Sequence, residues 1–402
     1  MEGTRKENSL RQNTDLRVGV VGFGARGPLA LHAHKPGEGS RVSVVADPSE
    51  RGKAKAREII GEDVRTVDTV DDLLSGGDVD AVMILAPDNL HAPIALKTLE
   101  ARIPTFTEKP MAISVEDADA MLNLAYEKRA RLYVGHNMRH MPVIRQMKDM
   151  IEQGKIGRVR AIWCRHFVGA GGDFYFKDWH AERERAFSLL LQKGAHDIDV
   201  IHWLAGGYTR RVSGIGGLEV YGDIEDRRDN SDRLMWDWFD AEVFPPSRQK
   251  ELNPVIDVED ISMLHMMLDN GVYASYQQCH FTPDYWRNYT VIGDEGRLEN
   301  MGDRAGEQIF LWNSRHSGAG RPDQVEVIAR ADGGHGGADP RLITEFLEFV
   351  RNGGRTDVSV IAAREAVATG VYGALSIRAG GQMLEVPPVP AKIREYLDSG
   401  QA

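Results

Sequence analysis

A glycine-rich turn directly after a short apolar segment constrains this chain more than any other feature. Residues 18–21 (VGVV) are typical of a buried strand, and residues 22–27 (GFGARG) follow them without a gap. Between a strand and a helix, the pattern G-x-G-x-x-G lets the backbone approach a pyrophosphate at the helix N-terminus; elsewhere it is only a tight turn. A helix over 28–34 and a strand over 41–46 are predicted to follow. We therefore interpret the turn as the start of a dinucleotide-binding domain.

An acidic residue closes the second predicted strand. Asp47 lies 20 residues beyond Gly27, a separation at which a carboxylate can accept hydrogen bonds from the adenosine ribose of a dinucleotide. A carboxylate there repels a 2′-phosphate, so NAD is predicted as the cofactor rather than NADP, although Arg51 nearby is a cation that would favour NADP. The cofactor-binding residues predicted in this region are Asp47 and the whole turn: Gly22, Phe23, Gly24, Ala25, Arg26 and Gly27.

The next segments keep alternating between apolar strands and helices. Residues 79–85 (VDAVMIL) predict a strand that ends at APDNLH, and a helix over 92–101 leads to a further strand that ends at TEKPM (107–111). Parallel strands buried on both faces are apolar throughout, and ligands bind at their carboxyl ends. Glu108 and Lys109 are therefore expected at a ligand-binding edge rather than at a plain exit into solvent.

These motifs resemble those of the Gfo/Idh/MocA oxidoreductases, a family that includes glucose-fructose oxidoreductase and inositol dehydrogenase. The resemblance covers most of 17–381, and it implies that Lys109 contacts the nicotinamide and the reacting hydroxyl group. It rests on GFGARG, APDNLH (86–91), EKP (108–110), HNMRHMP (136–142), Gly157 after Ile156, and a later helix with His196, Asp199, Trp203 and Leu204. The further residues predicted to bind the cofactor are Ala86, Pro87, Asn89, His91, Glu108, Asn137 and Arg139.

Beyond residue 142 the pattern changes. After a helix over 143–153 the strands become longer, and residues 258–268 and 272–281 flank the turn Asp269-Asn270-Gly271 as a hairpin. We predict an α/β Rossmann domain over 17–142, followed by an α+β domain over 143–402 with a large, mostly antiparallel open sheet. A C-terminal helix over 362–378 could pack back on the first domain. The resemblance implies that the open face of the sheet forms the interface of a homo-oligomer, a dimer or tetramer.

The segment 188–204 carries the second group of polar residues. Written as one helix, it places Gln192, His196 and Asp199 on one face, while most other positions are apolar. Such a polar stripe needs a ligand or a partner, although His196 and His202 could also be core histidines with satisfied hydrogen bonds. A His-Asp-His metal site would need a third clear ligand, so no metal is predicted. The resemblance favours His196 as the acid–base residue.

The same segment departs from the family's polyol dehydrogenases. Many of those enzymes carry an aspartate at the position of Gln192, and Lys193 also differs from their simplest pattern. Glutamine cannot take up a proton as a carboxylate can. An ordinary free polyol is therefore not the expected substrate, and both residues are predicted to hydrogen-bond and orient the substrate.

Two glycine-rich loops add candidate substrate-binding residues. Loop 169–185 could close over the nicotinamide with an aromatic ring against a sugar, or it could be a charged surface loop with an aromatic anchor. Loop 333–338 precedes Asp339 and Pro340, which predict the start of a helix. The candidates in these loops and in the strand before the first one are Arg165, Tyr175, Trp179, His180 and His335.

Composition narrows the setting. The formal charge of −11 at pH 7 argues against nucleic acid or an anionic membrane as a partner. The chain has two cysteines, Cys164 and Cys279, far apart in sequence, which favours a reducing cytoplasm. No apolar run approaches the length of a membrane span, and residues 1–16 are expected to form a flexible arm.

Three functions fit these patterns. The first is an NAD-dependent oxidoreductase acting on a secondary hydroxyl of a sugar, glycoside or cyclitol, with His196 as the base and Lys109 as its electrostatic partner. The second is an NAD-dependent glycoside hydrolase, as in some relatives of the family: transient oxidation acidifies a C–H bond, elimination expels the aglycone, water adds and the hydride returns. Lys193 and the cationic side chains of loop 169–185 would suit an anionic sugar glycoside. The third, a cofactor-binding sensor, is disfavoured because Lys109 and His196 are both present.

Overall fold

The computed structural model describes residues 15–234, 237, 240, 242–315 and 320–401. The expected N-terminal arm, 1–16, lies almost entirely outside these residues. Within them the chain forms one sheet of six strands and one of nine. The predicted fold class is confirmed, because a parallel Rossmann-type sheet is followed by a large, mostly antiparallel sheet.

The first sheet has six strands. They are β1 (Leu16–Val21), β2 (Ser40–Ala46), β3 (Arg65–Val67), β4 (Ala81–Ile84), β5 (Thr105–Thr107) and β6 (Leu132–Val134). Four of them, β1, β2, β4 and β5, correspond to segments that the sequence predicts. All neighbours pair in parallel, in the order β3-β2-β1-β4-β5-β6. The order reverses between β1 and β4, so a ligand crevice is expected at their carboxyl ends.

Helices follow these strands, with serine or threonine caps at several starts. They are α1 (Glu50–Ile60), α2 (Val70–Ser75), α3 (His91–Glu100), α4 (Val115–Lys128) and α5 (Pro142–Glu152). The segment after the glycine-rich turn is an exception to the expected α-helix. Gly27–Ala33 is a single 3₁₀ helix with proline near its start. Its length of seven residues is unusual for a 3₁₀ helix, since runs longer than about four residues are uncommon.

The second sheet has a buried face and an open face. Its strands are β7 (Val159–Val168), β8 (Thr209–Gly217), β9 (Ile261–Leu268), β10 (Tyr273–Cys279), β11 (Tyr285–Gly293), β12 (Arg297–Met301), β13 (Gln308–Trp312), β14 (Gln324–Val327) and β15 (Leu384–Glu385). Their order is β14-β13-β12-β11-β7-β10-β9-β8-β15. Among the described strands of this second sheet, only β7 and β10 pair in parallel, and the other neighbours pair antiparallel. Helices α6 (Gly194–Ala205) and α8 (Val360–Arg378) cover one face.

Helix α8 joins the two sheets. It packs on β8 of the second sheet and on α4 of the first. Arg364, which is 1% exposed, donates to the Asp119 carboxylate of α4 at 2.7 and 3.0 Å. The helix is long and apolar enough to cross a membrane, but 83% of its most apolar window is buried inside the protein. Its apolar sequence is thus explained by packing between the sheets.

A segment assigned by sequence to the second domain packs on the first sheet. Helix α7 (Gly334–Asn352) places Phe346 against Phe106 of β5, with ring centroids 5.5 Å apart, and against Tyr133 of β6 at 5.7 Å. These three rings belong to one buried cluster on one face of the first sheet. Helices α3 and α4 pack in a separate cluster, on the other face. The first turn of α7 has left-handed dihedral angles at His335, so the regular helix begins after the glycine-rich loop.

Candidate active site

Asp47 ties the glycine-rich turn to the end of β2. One carboxylate oxygen accepts a hydrogen bond from the Phe23 N–H at 2.7 Å, and the other accepts from the Ser49 N–H at 2.9 Å and hydroxyl at 2.6 Å. The Phe23 ring is fully buried in the core, so that residue can reach a cofactor only through its backbone. Arg51 is exposed on the first turn of α1.

The turn itself has the space that a pyrophosphate needs. Gly22 has φ +87°, and a Cβ on it would lie 2.8 Å from the Ala86 backbone. A Cβ on Gly24 would meet nothing within 4 Å. The turn therefore requires glycine at position 22 and leaves open space beside position 24, which fits a phosphate group held by backbone N–H groups.

Arg26 connects the turn to two distant segments. Its Nε donates to Glu108 at 2.5 Å, and its two terminal nitrogens donate to Asp339 of α7 at 2.9 Å each. Asp339 also accepts from Asn137 at 2.8 Å and lies 2.9 Å from Nδ1 of His335. The Asp339 carboxylate, expected to cap α7, instead lies at the centre of this cluster. Its pKa is well below the usual range despite burial, because His335 and Arg26 stabilise its charge.

His335 lies at the cofactor side of the site. Its side chain is 53% exposed and pairs with Asp339, which holds Arg26 of the glycine-rich turn. The structure therefore places His335 beside the entrance to the turn and not among the residues around Lys109.

His91 fixes the relative position of two predicted motifs. Its ring is fully buried, with Nδ1 2.7 Å from the Pro110 carbonyl oxygen and Nε2 2.9 Å from the Ala86 carbonyl oxygen. His91 therefore does not face the crevice with its ring, but joins the APDNLH segment to the EKP segment from the core. Pro87 and Asn89 belong to the first of these segments and are partly buried beside it.

Lys109 reaches across to the second domain. Its ammonium group donates to the backbone carbonyl of Gln192 at 2.9 Å. Burial lowers the pKa of Lys109 below its usual value, and the carboxylate of Asp88 acts in the opposite direction. A strand end of the first sheet and a helix end of the second domain therefore meet at one partly buried cation.

The segment expected as one helix, 188–204, is broken where it meets this cation. A short turn, Leu189–Gln192, ends at Lys193, and α6 begins at Gly194. A Cβ on Gly194 would lie 2.9 Å from the Tyr276 ring, so this close approach requires glycine. The predicted single helix is therefore interrupted at Lys193, although this residue keeps helical dihedral angles (φ −97°, ψ −43°).

Asp199 pairs with Arg139 instead of facing a ligand. Both guanidinium bonds are 2.7 Å long, and Arg139 also donates to the Asp357 carbonyl at 2.7 Å. Both side chains are almost fully buried. Arg139, predicted to bind the cofactor, is thus engaged in an internal ion pair. His202 is a core histidine whose Nε2 lies 2.8 Å from the Thr209 hydroxyl.

His196 is held neutral. Its side chain is 8% exposed, and its Nδ1 is buried without a hydrogen-bond partner among the described residues. Burial first, and then the charges of Lys109 and Lys193, place the pKa of His196 well below its usual value. The expectation that this imidazole titrates near the working pH is wrong. A second imidazole, His136, lies behind it with ring centroids 6.3 Å apart.

The aromatic loop closes beside Lys109 and Lys193. The Lys193 ammonium lies 5.6 Å from the centre of the Tyr175 ring, and burial, together with Arg287, lowers its pKa to about 8. Trp179 stacks on His180 with centroids 3.7 Å apart, and His180 is further held by Asp178. The turn Arg183–Ala186 packs on Asp88–Leu90, so the loop covers the carboxyl end of β4.

Arg165 does not belong to this group. Its side chain is 49% exposed on the open face of β7, whereas the adjacent His166 is fully buried on the inner face, 2.9 Å from Asp197. The prediction that Arg165 meets the substrate of this site is therefore wrong. Side chains alternate between the two faces of a strand, so an error of one residue reverses the direction.

Three residues at the site were missed by the sequence analysis. Asp88 is 4% exposed with an unpaired Oδ2, and neither His136 nor His280 has a hydrogen-bond partner on either ring nitrogen among the described residues. Asp88 and His136 lie inside motifs that were recognised, APDNLH and HNMRHMP, so their position was a usable signal. His280 follows β10 with no local pattern to mark it.

Metal ligands are not grouped in the described part of the chain. No cluster of three or more His, Cys, Asp or Glu side chains there is arranged to hold an ion. Both cysteines are free thiols.

A parallel sheet with a glycine-rich turn, Asp47 and a partly buried lysine at its carboxyl edge defines an NAD-binding oxidoreductase of the Rossmann type. Residues 16–136 match the model of the oxidoreductase family with an NAD-binding Rossmann fold, GFO_IDH_MocA, and residues 148–386 match the model of its C-terminal alpha/beta domain. The chain belongs to this family.

Individual proteins are similar over different lengths. The oxidoreductase YteT of Bacillus subtilis (strain 168) is 24% identical over 363 residues, covering 79% of this chain and 81% of that protein. The 2,7-anhydro-N-acetylneuraminate hydratase of Mediterraneibacter gnavus is 32% identical over 214 residues, covering 52% of this chain and 55% of that protein. A structure of levoglucosan dehydrogenase in complex with NADH aligns with a TM-score of 0.74 at 19% identity, covering 94% of this chain and all of the other.

Asp47 should make the enzyme prefer NAD over NADP. Asp47→Ala should weaken NAD binding by about tenfold or more, because hydrogen bonds to a charged group contribute about 1.5–3 kcal/mol. The same substitution should reduce the ratio of NADP to NAD dissociation constants. Titration of intrinsic fluorescence with both cofactors measures this. Glu50→Ala, which removes an exposed carboxylate of the same helix, is the matched control. Tighter binding of NADP than NAD to the unmodified enzyme would contradict this role of Asp47.

Proposed function

We propose that this enzyme oxidises a secondary hydroxyl group of a sugar, glycoside or cyclitol with NAD. The observation that carries the proposal is the meeting of Lys109, from the strand edge of the first domain, with Gln192 and His196 of the second. Bound NAD supplies the acceptor for the hydride. The protein must then hold the hydroxyl oxygen and remove its proton.

Lys109 is suited to hold the oxygen. An ammonium group in a buried site stabilises the negative charge that develops on a hydroxyl oxygen as its proton leaves. The bond to the Gln192 carbonyl, at 2.9 Å, fixes the direction of the lysine side chain before substrate arrives. The interaction therefore costs little reorganisation at the moment of reaction.

His196 is the group proposed to take the proton. A base must be unprotonated before it acts, and the lowered pKa of His196 keeps the ring neutral. The same lowering makes it a weak base, so the hydroxyl must be acidified by Lys109 at the same time. Tyr175 is the competing candidate, but burial raises the pKa of its hydroxyl, which favours a hydrogen-bond donor over a base.

A redox-neutral glycoside hydrolase is the second candidate. Gln192 replaces the carboxylate of many polyol dehydrogenases, and Lys193 is a partly buried ammonium that lies 5.6 Å from the centre of the Tyr175 ring. The similar protein named as a hydratase of an anionic anhydrosugar also supports chemistry other than net oxidation. In this reaction the substrate is oxidised, loses its leaving group with a neighbouring proton, gains water and is reduced again.

The amount of NADH formed separates these two functions. With a panel of sugars, cyclitols and aryl glycosides, anionic ones included, the dehydrogenase should form one NADH per substrate consumed. The hydrolase should release the aglycone without net NADH. Absorbance at the nicotinamide band and chromatography of the products measure both. Turnover of neither class by the NAD-loaded enzyme would contradict both proposals.

We also propose that the open face of the second sheet joins copies of this chain. Large apolar side chains are exposed along its strands, which is uncommon for a surface that faces water. They include Trp163 at 50%, Ile215 at 62% and Tyr273 at 61% exposure. A nine-stranded face of this kind is long enough for a stable dimer or tetramer interface.

Light scattering after size-exclusion chromatography should therefore detect a dimer or tetramer. The double variant Trp163→Glu, Tyr273→Glu should dissociate it, because two carboxylates would be buried without partners. Val255→Glu replaces an equally exposed apolar residue outside the sheet, at 50% exposure, and should leave the mass unchanged. A mass equal to one chain for the unmodified protein would contradict the proposal.

A further inference from the structure

A long connection, residues 218–260, joins β8 to β9 beside the aromatic loop (169–185) of the active site. Its described part contains the short 3₁₀ turns Tyr221–Asp223 and Pro246–Arg248. Connections longer than about 12–15 residues with little regular structure are uncommon in compact domains, and they are usually either functional or disordered. This connection is hydrogen-bonded to the aromatic loop, which favours a function.

The hydrogen bonds attach the connection to both ends of the aromatic turn region. The Asn253 N–H donates to the Phe176 carbonyl at 2.8 Å. Further along, the Asp257 N–H donates to the Ala181 carbonyl at 3.1 Å, and the Asp257 carboxylate accepts from the Arg183 N–H at 2.7 Å. The loop therefore cannot leave the active site without breaking these bonds or displacing the connection.

Tyr221 anchors the connection beneath the loop. Its side chain is fully buried, and its ring stacks on Phe176 with centroids 3.8 Å apart and 8° between the planes. Its hydroxyl donates to the Asp173 carboxylate at 2.6 Å and lies 3.0 Å from the His280 carbonyl oxygen. The Asp260 carboxylate fixes the backbone of Tyr221 by accepting from its N–H at 3.0 Å. Tyr221 thus holds the loop by both its ring and its hydroxyl.

A series of ring contacts leads from Tyr221 to the ammonium group of Lys193. Phe176 meets the His280 ring edge-on with centroids 5.7 Å apart, and His280 meets the Tyr175 ring at 5.5 Å. The Lys193 ammonium lies 5.6 Å from the centre of the Tyr175 ring. Because packed interiors transmit displacements, a shift of Tyr221 is expected to move Tyr175 relative to Lys193.

We propose that Tyr221 is a positioning residue, which holds the aromatic loop so that the Tyr175 hydroxyl donates to the substrate beside Lys193. The inference rests on the proposed function, in which Tyr175 is a hydrogen-bond donor and not the base. Residues 218–260 then support the substrate side of the site. Tyr221 should therefore govern the affinity for the carbohydrate and leave the affinity for NAD unchanged.

The experiment compares Tyr221→Phe with the unmodified protein. Phenylalanine keeps the stack on Phe176 and removes only the hydroxyl, so the buried Asp173 carboxylate loses this donor. Hydrogen–deuterium exchange, read by peptide mass spectrometry without substrate, should become severalfold faster in residues 173–183 and stay unchanged in the first sheet. Asp173→Ala removes the acceptor of the same bond and should give the same pattern.

Tyr133→Phe is the matched control. Tyr133 is also fully buried, and its hydroxyl donates to the Glu345 carboxylate in the core beside the first sheet. The substitution therefore removes a buried hydroxyl bonded to a carboxylate without touching the loop. It should leave both the exchange of residues 173–183 and the KM for the carbohydrate unchanged.

Kinetics separate positioning from a general loss of stability. In active enzyme, Tyr221→Phe should raise the KM for the carbohydrate severalfold, while kcat and the NAD dissociation constant stay nearly unchanged. If Tyr221 acts through the Tyr175 hydroxyl, adding Tyr221→Phe to Tyr175→Phe should raise KM little further, whereas independent effects would multiply.

Unchanged exchange of residues 173–183 in Tyr221→Phe would overturn the proposal, whatever the activity, and so would multiplying effects in the double variant. Faster exchange confined to these residues, in a protein that turns over no carbohydrate, would support the hold of Tyr221 on the loop. In that case it is the proposed function that fails, and the two failures are distinguishable.

Discussion

The hydrogen bond from the Lys109 ammonium group to the Gln192 carbonyl is the interaction on which the rest of the site depends. It joins the end of β5 to the break before α6 at 2.9 Å. Asp88 and Tyr175 favour the charge of Lys109, and Lys193 opposes it. Burial first, and then the charge of Lys109, lowers the pKa of His196. One partly buried lysine thus connects residues of two domains.

A second connection positions the cofactor side. Arg26 holds Glu108, the neighbour of Lys109, and Asp339 of α7. The same helix places Phe346 in the core beneath β5 and β6. The glycine-rich turn, the EKP segment and helix α7 are therefore held together by one cluster of ion pairs, which fits a site where the nicotinamide and the substrate must meet at a fixed distance.

Local patterns predicted much of the first sheet, because β1, β2 and β4 contain apolar runs and the turns after β1 and β4 carry their own signals. Lys109 and Asp47 were found because they follow strands that could be recognised. Arg165 was placed on the wrong face because period-two alternation gives two faces without saying which is buried. The need for glycine at position 194 comes from the close approach of Tyr276, 82 positions further along the chain (276 − 194), which periodicity cannot reveal.

Long-range pairs account for the other differences. Asp199 and Asp339 were assigned a ligand-facing role and a helix cap, but each meets an arginine that is distant in sequence. Asp88 lies in a recognised motif, but its burial beneath the turn Arg183–Ala186 depends on residues that are distant in sequence. Sequence reasoning therefore located the site and named its central lysine, while the partners of that lysine required the three-dimensional arrangement.

The most direct test of the central claim is the effect of Lys109→Ala on turnover and on NAD binding, measured on the same preparation. If Lys109 acts mainly on the developing charge of the substrate oxygen, kcat should fall by about two orders of magnitude or more. The NAD dissociation constant should stay within a few fold, and Lys148→Ala, at a partly buried lysine outside the site, should change neither. Near-normal kcat in Lys109→Ala would contradict the account.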